Sequence, residues 1–396
     1  MNGTSLQIGV VGLGRGFSLM VPTFIMDKRV KLAAATDPRP EAMAQFERDF
    51  DGKLYETFDQ LCEDDNLDLI YVASPHQFHE EHVIKAARSG KHVLVEKPMA
   101  LRIDACTRMI ETAKQFGVQL IVGPCHSFDA PILATRKIIS NGALGIPRMI
   151  TAFNFTDFLY RPRRPEELKT SEGGGVVFSQ GAHQIDILRL LAGGLANSVF
   201  SVTGNWDASR PTEGAYSAII RFEGGMTANL TYNGYGYFDS DQFVDWIDEF
   251  GNSKKQGEYK SGKDALLELK ILKSEIAYKA ERAYGGSISS EKPKSGVQHD
   301  RQHEHFGTFI ISCENGDIRP MPDRIEIYTD IHKTIPLPSP TIPRAEVVDE
   351  MYAAIIEKQP PIHSGEWGRA TLEICQAILK SAETNKEIKL NYQVSC

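Results

Sequence analysis

The sequence predicts an α/β chain: an N-terminal doubly wound parallel sheet, followed by an α+β domain with a large, mostly antiparallel sheet. Two observations carry this. Over the first 123 residues, short and continuously apolar runs alternate with amphipathic stretches, the pattern of parallel strands covered by helices on both faces. Afterwards the apolar runs lengthen and alternate with polar residues, as strands do when one face of their sheet meets water or a partner.

The elements follow in order. LQIGVVGL, VKLAAATD, LDLIYVASP, KHVLVEKP and VQLIVGP read as five strands. Between them RPEAMAQFERDF, FDQLCEDD, EEHVIKAARSG and RIDACTRMIETAKQFG read as helices. The first domain spans 1–123 and the second 124–396. In the second, PILATRKIISNGALG is a helix stopped by glycine, and PRMITAFNFTDF, SVFSVTGNW, AYSAIIRFEGG and MTANLTYNGYGYF are strands. VVFSQGAHQIDILRLLAGG has helical spacing at Ile185, Leu188 and Leu191. A segment inserted at about 252–300 reads as an amphipathic helix between loops rich in Gly, Ser and Lys. AEVVDEMYAAIIEK and EWGRATLEICQAILKSAETN are the closing helices.

Composition narrows the function. A net charge of -8 argues against nucleic acid or an anionic membrane as partner. No apolar run approaches the roughly 18–20 residues of a membrane span, and the N-terminus lacks the basic start of a signal peptide. The six cysteines are scattered without a Cys-x-x-Cys pair. They read as mostly buried apolar fillers in a reducing cytoplasm, with no metal site.

The first strand runs into Gly12-Leu13-Gly14-Arg15-Gly16-Phe17. Gly12 and Gly14 have the spacing of a dinucleotide fingerprint, in which glycine permits a tight turn and a close backbone approach to pyrophosphate. Phe17 stands where the third glycine would fall and Gly16 comes one place early, so the helix entry is altered. Asp37 ends the second strand, where a carboxylate binds the ribose hydroxyls of NAD. Arg39 would suit the 2′-phosphate of NADP, but Asp37 repels that phosphate, so NAD is slightly preferred over NADP. Ser74, Pro75 and His76 follow the third strand at the same carboxyl edge. The first domain is thus expected to be a Rossmann sheet.

With GLGRG, Asp37, ASPHQFHEEHVIKAARSGKHVLVEKPMA and GGGVVFSQGAHQID in register, the chain resembles the Gfo/Idh/MocA oxidoreductases over nearly its whole length. The resemblance implies an NAD(P)-dependent dehydrogenase acting on a secondary alcohol of a ring. It places Lys97 of the Glu-Lys-Pro motif beside the nicotinamide and the substrate alcohol, with Glu96 holding neighbouring structure and His79 near the cofactor. His183 falls where the family has its active-site histidine, with Asp186 on the same helical face. The family's acid four residues earlier is Ser179 here, so proton transfer is expected to rest on His183 with Lys97.

GLGRGF, HSFDAPI and NFTDFLYRPRRPEEL are most like members that oxidise phthalate-type cis-dihydrodiols. Tyr160, Arg161 and Arg163 then become candidates for binding an anionic ring alcohol, because arginine pairs with carboxylate bidentately. The bland reading of this stretch is a solvated loop whose arginines pair with Glu166 and Glu167. His126, Asp129 and Asp157 are further cleft candidates. The resemblance also implies a homodimer or homotetramer. Two other readings stay open: an enzyme that uses tightly bound NAD transiently on a sugar or glycoside, and a non-enzymatic NAD sensor.

Overall fold

The computed structural model describes residues 5–256, 262–288 and 301–396. They form two compact units, one of residues 1–124, 276–297 and 342–369, the other of residues 125–275, 298–341 and 370–396.

The first unit holds β1 (Leu6–Val11), α1 (Arg15–Met26), β2 (Val30–Thr36), α2 (Pro40–Phe50), β3 (Lys53–Leu54), α3 (Phe58–Cys62), β4 (Leu69–Val72), α4 (His79–Arg88), β5 (His92–Val95), α5 (Ile103–Gln115) and β6 (Leu120–Val122). The strands pair in parallel in the order β3-β2-β1-β4-β5-β6. All four residues of β4 are buried, as a strand covered on both faces requires. Two features set helix starts. Pro40 opens α2, where its missing N–H costs nothing, and Thr57 with Gln60 forms a capping box on α3. The strand order reverses direction between β1 and β4. The crevice beyond their carboxyl ends is where such sheets bind ligands.

The second unit contains α6 (Ala130–Ser140), β7 (Pro147–Phe155), α7 (Ala182–Ala192), β8 (Ala196–Gly204), β9 (Ala215–Phe222) and β10 (Thr227–Asn233). The inserted segment supplies two helices rather than the single one expected, α8 (Gly262–Leu272) and α9 (Glu275–Arg282). Parts of its expected loop flanks, 257–261 and 289–300, lie outside the described residues. β11 (Thr308–Cys313), β12 (Gly316–Met321), β13 (Arg324–Tyr328) and β14 (His332–Pro336) follow, then α10 (Ala345–Ile355), α11 (Gly365–Thr384) and β15 (Ile388–Lys389). Of these helices α10, and α9 from residue 276, belong to the first unit, and α11 counts with the second from residue 370. The nine strands run β14-β13-β12-β11-β7-β10-β9-β8-β15. β7 and β10 pair in parallel and the other neighbours antiparallel.

Even-numbered residues of β7 from Ile150 on, and those of β9 and β10, such as Ala152, Ile220 and Leu230, are buried. The opposite face is open at Ile310, Ile219 and Phe200. α7 is buried over residues 182–191, a charged side chain included. Arg189 donates to Gln393 and Thr371, while burial pushes its guanidinium down to about 10.

Of the cysteines, Cys62, Cys106 and Cys375 are buried, Cys125 and Cys313 partly so, and Cys396 exposed. Among the described residues no helix is long and apolar enough to cross a membrane.

Ile8 sits at the middle of the parallel sheet, fully buried and registered with Leu32 on one side and Leu69 on the other. Ile8→Ala is expected to lower the unfolding free energy by about 2–5 kcal/mol, through lost transfer energy plus a cavity. Urea denaturation checks this as a lower midpoint at unchanged slope.

Candidate active site

In the first unit the turn after β1 has the form a dinucleotide needs. Gly12 has φ +91°, and a Cβ there would lie 2.6 Å from the Ser74 nitrogen. Glycine therefore lets the loops after β1 and β4 close on each other. A Cβ on Gly14 would meet nothing within 4 Å, and no side chain caps α1 behind it. A helix N-terminus that opens on glycine is suited to an approaching anion. Gly16 answers a different need: a Cβ there would lie 2.7 Å from Glu96 Oε1. Arg15 starts α1 beside them. The Phe17 ring is fully buried against Phe46, Phe50 and Tyr284, so its side chain serves the core rather than a ligand.

Asp37 and Arg39, expected as competing determinants, are bonded to each other. Asp37 Oδ1 accepts from the Arg39 backbone and Nε, both at 2.9 Å. Its Oδ2 accepts from Leu13 N at 2.6 Å. At the β4 edge the Ser74 hydroxyl bonds His82 Nδ1 at 2.9 Å, Pro75 is exposed and His76 is half-buried. His79 is buried, its Nε2 2.8 Å from Ser74 O and its Nδ1 3.1 Å from Pro98 O. It braces the β4 loop against the Glu-Lys-Pro turn, and burial lowers its imidazole to about 4. Glu96 accepts from Tyr71 Oη at 2.5 Å. Burial raises its carboxyl, against the opposing pull of the Tyr71 bond and the Lys97 ammonium. The Lys97–Pro98 bond is cis.

The second unit gathers a separate polar group. His183, buried on α7, has its ring centroid 4.8 Å from His126 and 5.0 Å from Phe306. His126 Nδ1 lies 2.8 Å from Asp129 and its Nε2 3.6 Å from Glu249. Burial alone would lower the His126 imidazole, but the two carboxylates raise it to about 9. His126, Asp129 and Glu304 each place one donor atom within 4.8 Å of the others. Internal partners already engage this trio, since Glu304 takes the Arg301 guanidinium at 2.7 Å. Tyr232 extends the group, bonded to Gln180 at 3.2 Å and stacked on Phe306. Ser179 lies half-buried in the π-helical turn Val177–Gly181 that leads into α7.

The arginine loop divides. Arg161 pairs with Asp157 at 2.9 Å and Glu249 at 3.4 Å. Arg164 pairs with Glu166 and Glu167, as the solvated-loop reading requires. Arg163 donates to Phe158 O at 2.7 Å and lies 3.7 Å over the Phe158 ring. Among the described residues no carboxylate bonds its guanidinium, and burial pushes it down to about 10. Tyr160 donates to Asp207 at 2.9 Å. The Asp186 carboxylate accepts from Ser127 and, at 2.9 Å, from Thr371, which makes it a packing anchor for α7. Glu249, Phe306, Tyr232 and Tyr71 escaped the sequence reading, since no motif surrounds them.

The family model for the oxidoreductase family with NAD-binding Rossmann fold matches residues 6–124, and that for the GFO/IDH/MocA C-terminal domain matches residues 132–244. A dehydrogenase of Comamonas testosteroni, named for 1-carboxy-3-chloro-3,4-dihydroxycyclohexa-1,5-diene, is 45% identical over 96% of this chain and 95% of its own. The chain belongs to the Gfo/Idh/MocA oxidoreductases. Like other members, it is a dehydrogenase with an NAD-binding Rossmann unit. A crystal structure of a Bordetella bronchiseptica RB50 protein described as a dehydrogenase superposes with a TM-score of 0.90 at 35% identity. It covers 98% of this chain and 100% of that one. A Thermotoga maritima myo-inositol 2-dehydrogenase is 29% identical over 50% of this chain and 58% of its own. The glycine turn, Asp37 and the uncapped α1 fit the dinucleotide this family binds.

The raised His126 imidazole has a consequence for stability. Its folded pKa exceeds the unfolded value of about 6.5, so its ion pairs stabilise fully below that pH and fade as pH rises through about 9. The stability difference between wild type and His126→Gln should be largest near pH 6 and shrink by pH 10, measured by urea unfolding.

Proposed function

We propose that this dehydrogenase oxidises a secondary alcohol on an anionic ring, a carboxylated cis-dihydrodiol, with NAD preferred over NADP. The observation that carries the substrate class is Arg163. Its guanidinium rests, half-buried, on the Phe158 ring, and among the described residues no carboxylate is bonded to it. It belongs to the same group of interacting residues as Tyr232, Arg161 and Glu249, which leads to His126 and His183. A substrate carboxylate would complete its fork. The Comamonas testosteroni relative supports this, its named substrate being a carboxylated dihydroxycyclohexadiene.

The cofactor, when bound, takes the hydride from the alcohol carbon. The chain's own groups handle the proton. His183, whose ring packs against His126, accepts the hydroxyl proton. Lys97 of the Glu-Lys-Pro motif, next to Glu96, is assigned to the reacting alcohol by its motif. Asp37 holds the ribose, and the turn at Gly12 and Gly14 takes the pyrophosphate.

A homo-oligomer, dimer or tetramer, is part of the proposal. One registered row crosses the open face of the second unit's sheet, Ile310, Thr151, Asn229, Ile219 and Phe200, with large apolar side chains exposed at three of the five positions. A second copy would cover such a row.

Lys97→Ala should lower kcat by about 100-fold or more while NADH binding persists, because general acid–base help is worth about that much. An unchanged kcat would remove Lys97 from the chemistry. Arg163→Ala should raise KM for a carboxylated ring diol about 10- to 100-fold and leave an uncharged ring diol unaffected, charge-assisted bonds being worth about 1.5–3 kcal/mol. Equal effects on both would sink the carboxylate reading. Ile219→Lys should shift sedimentation toward the monomer.

A further inference from the structure

The inserted segment returns to the nucleotide-binding unit at one well-defined place. After α9 the chain turns at Tyr284-Gly285, and Tyr284 is almost fully buried. Its ring meets Phe17 edge-on at 5.0 Å and stacks near Phe50 at 6.4 Å. Its hydroxyl donates to Asp49 at 2.6 Å. Gly285 has φ +82°, and a Cβ there would lie 2.6 Å from the Ala42 Cα. The turn therefore lies directly on the first turn of α2, and only glycine allows that approach. Ala42 lies in the first turn of α2, just after the end of β2, and Phe17 lies in the first turn of α1, just after the fingerprint turn. The end of β2 and the fingerprint turn decide cofactor choice.

The docked turn also touches Arg39. Arg39 NH1 donates to the Tyr284 carbonyl at 3.0 Å, NH2 to Leu13 O at 2.8 Å, and Nε to Asp37 at 2.9 Å. Every nitrogen of this guanidinium is thus committed. To meet a 2′-phosphate, Arg39 would have to leave Asp37 and the Tyr284 carbonyl together. Asp37 would then repel the phosphate uncompensated.

We propose that the inserted segment, through Tyr284-Gly285, is the cofactor-discrimination element of this enzyme: docked, it holds Arg39 on Asp37, so that the ribose end takes the 2′-hydroxyl of NAD and refuses the 2′-phosphate of NADP. This rests on the reading that NAD is the preferred cofactor, and gives that preference a physical origin. Tyr284 and Gly285 are positioning residues that act through Arg39.

The test is equilibrium binding of NADH and NADPH, followed by nucleotide fluorescence. The proteins are wild type, Tyr284→Ala, Gly285→Val, Arg39→Ala and the Arg39→Ala/Tyr284→Ala double variant. Tryptic cleavage at Lys279 and Arg282 reports release of the segment independently of binding. Wild type should favour NADH. Tyr284→Ala and Gly285→Val, which undock the turn by unrelated means, should both become more sensitive to trypsin. Their preference for NADH should fall by about tenfold, as a lost repulsive device predicts. Without Arg39, adding Tyr284→Ala should leave the preference unchanged.

An unaltered preference in both undocked variants would overturn the proposal. So would a shift that persists without Arg39, or variants that stay protected from trypsin. Wild type that binds neither nucleotide, or binds NADPH better, would instead bring down the cofactor reading beneath it.

Discussion

The carboxyl of Glu96, drawn out of water at the end of β5, organises the carboxyl edge of the parallel sheet. It accepts the Tyr71 hydroxyl from β4, and it fills the space that a side chain on Gly16 would need at the start of α1. Two strands and the helix entry thus converge on one group. A buried carboxyl is costly unless each lone pair is used or the proton is retained, and its raised pKa reflects that tension. Lys97 is the next residue, so Glu96 anchors the turn that carries it. His79 completes the bracing by tying the loop after β4 to Pro98. The chemistry-bearing lysine therefore stands on a scaffold whose parts are mostly not chemical.

The second unit solves a related problem with charges of both signs. Asp129, His126, Glu249, Arg161 and Asp157 form, in that order, a chain of alternating charge, and His183 packs against its His126. Each member offsets its neighbour's loss of hydration, which isolated charges at these depths could not do. Arg163 stands apart from that sequence, resting on an aromatic face instead.

Much of this was legible in the sequence. The parallel strands, the fingerprint turn, Asp37, Glu-Lys-Pro and the histidine helix all sit in local patterns of period, glycine or motif. β11 to β14 were not named, although Asn315-Gly316 between apolar stretches is a hairpin signal. Their strands are only five or six residues long and mix polar with apolar residues, so periodicity says little about them. Phe17 was placed in the turn by spacing alone, whereas its burial depends on Phe46, Phe50 and Tyr284, which lie far apart in sequence. Arg161 and Asp186 looked free for substrate because their partners, Glu249 and Thr371, are likewise remote. Tyr284 carried a faint signal, an aromatic before two glycines in a polar insertion. What escaped was tertiary partnership, which no local window contains.

The nucleotide-binding unit is assembled from three stretches of chain, ending at residues 124, 297 and 369. During synthesis its sheet can pair once the first stretch has emerged, yet Tyr284, one of the three rings around Phe17, comes some 267 residues after it. Until then a nascent Rossmann sheet must persist with an open apolar flank, the kind of exposure that invites chaperone binding. The unit that begins the chain is among the last to be finished.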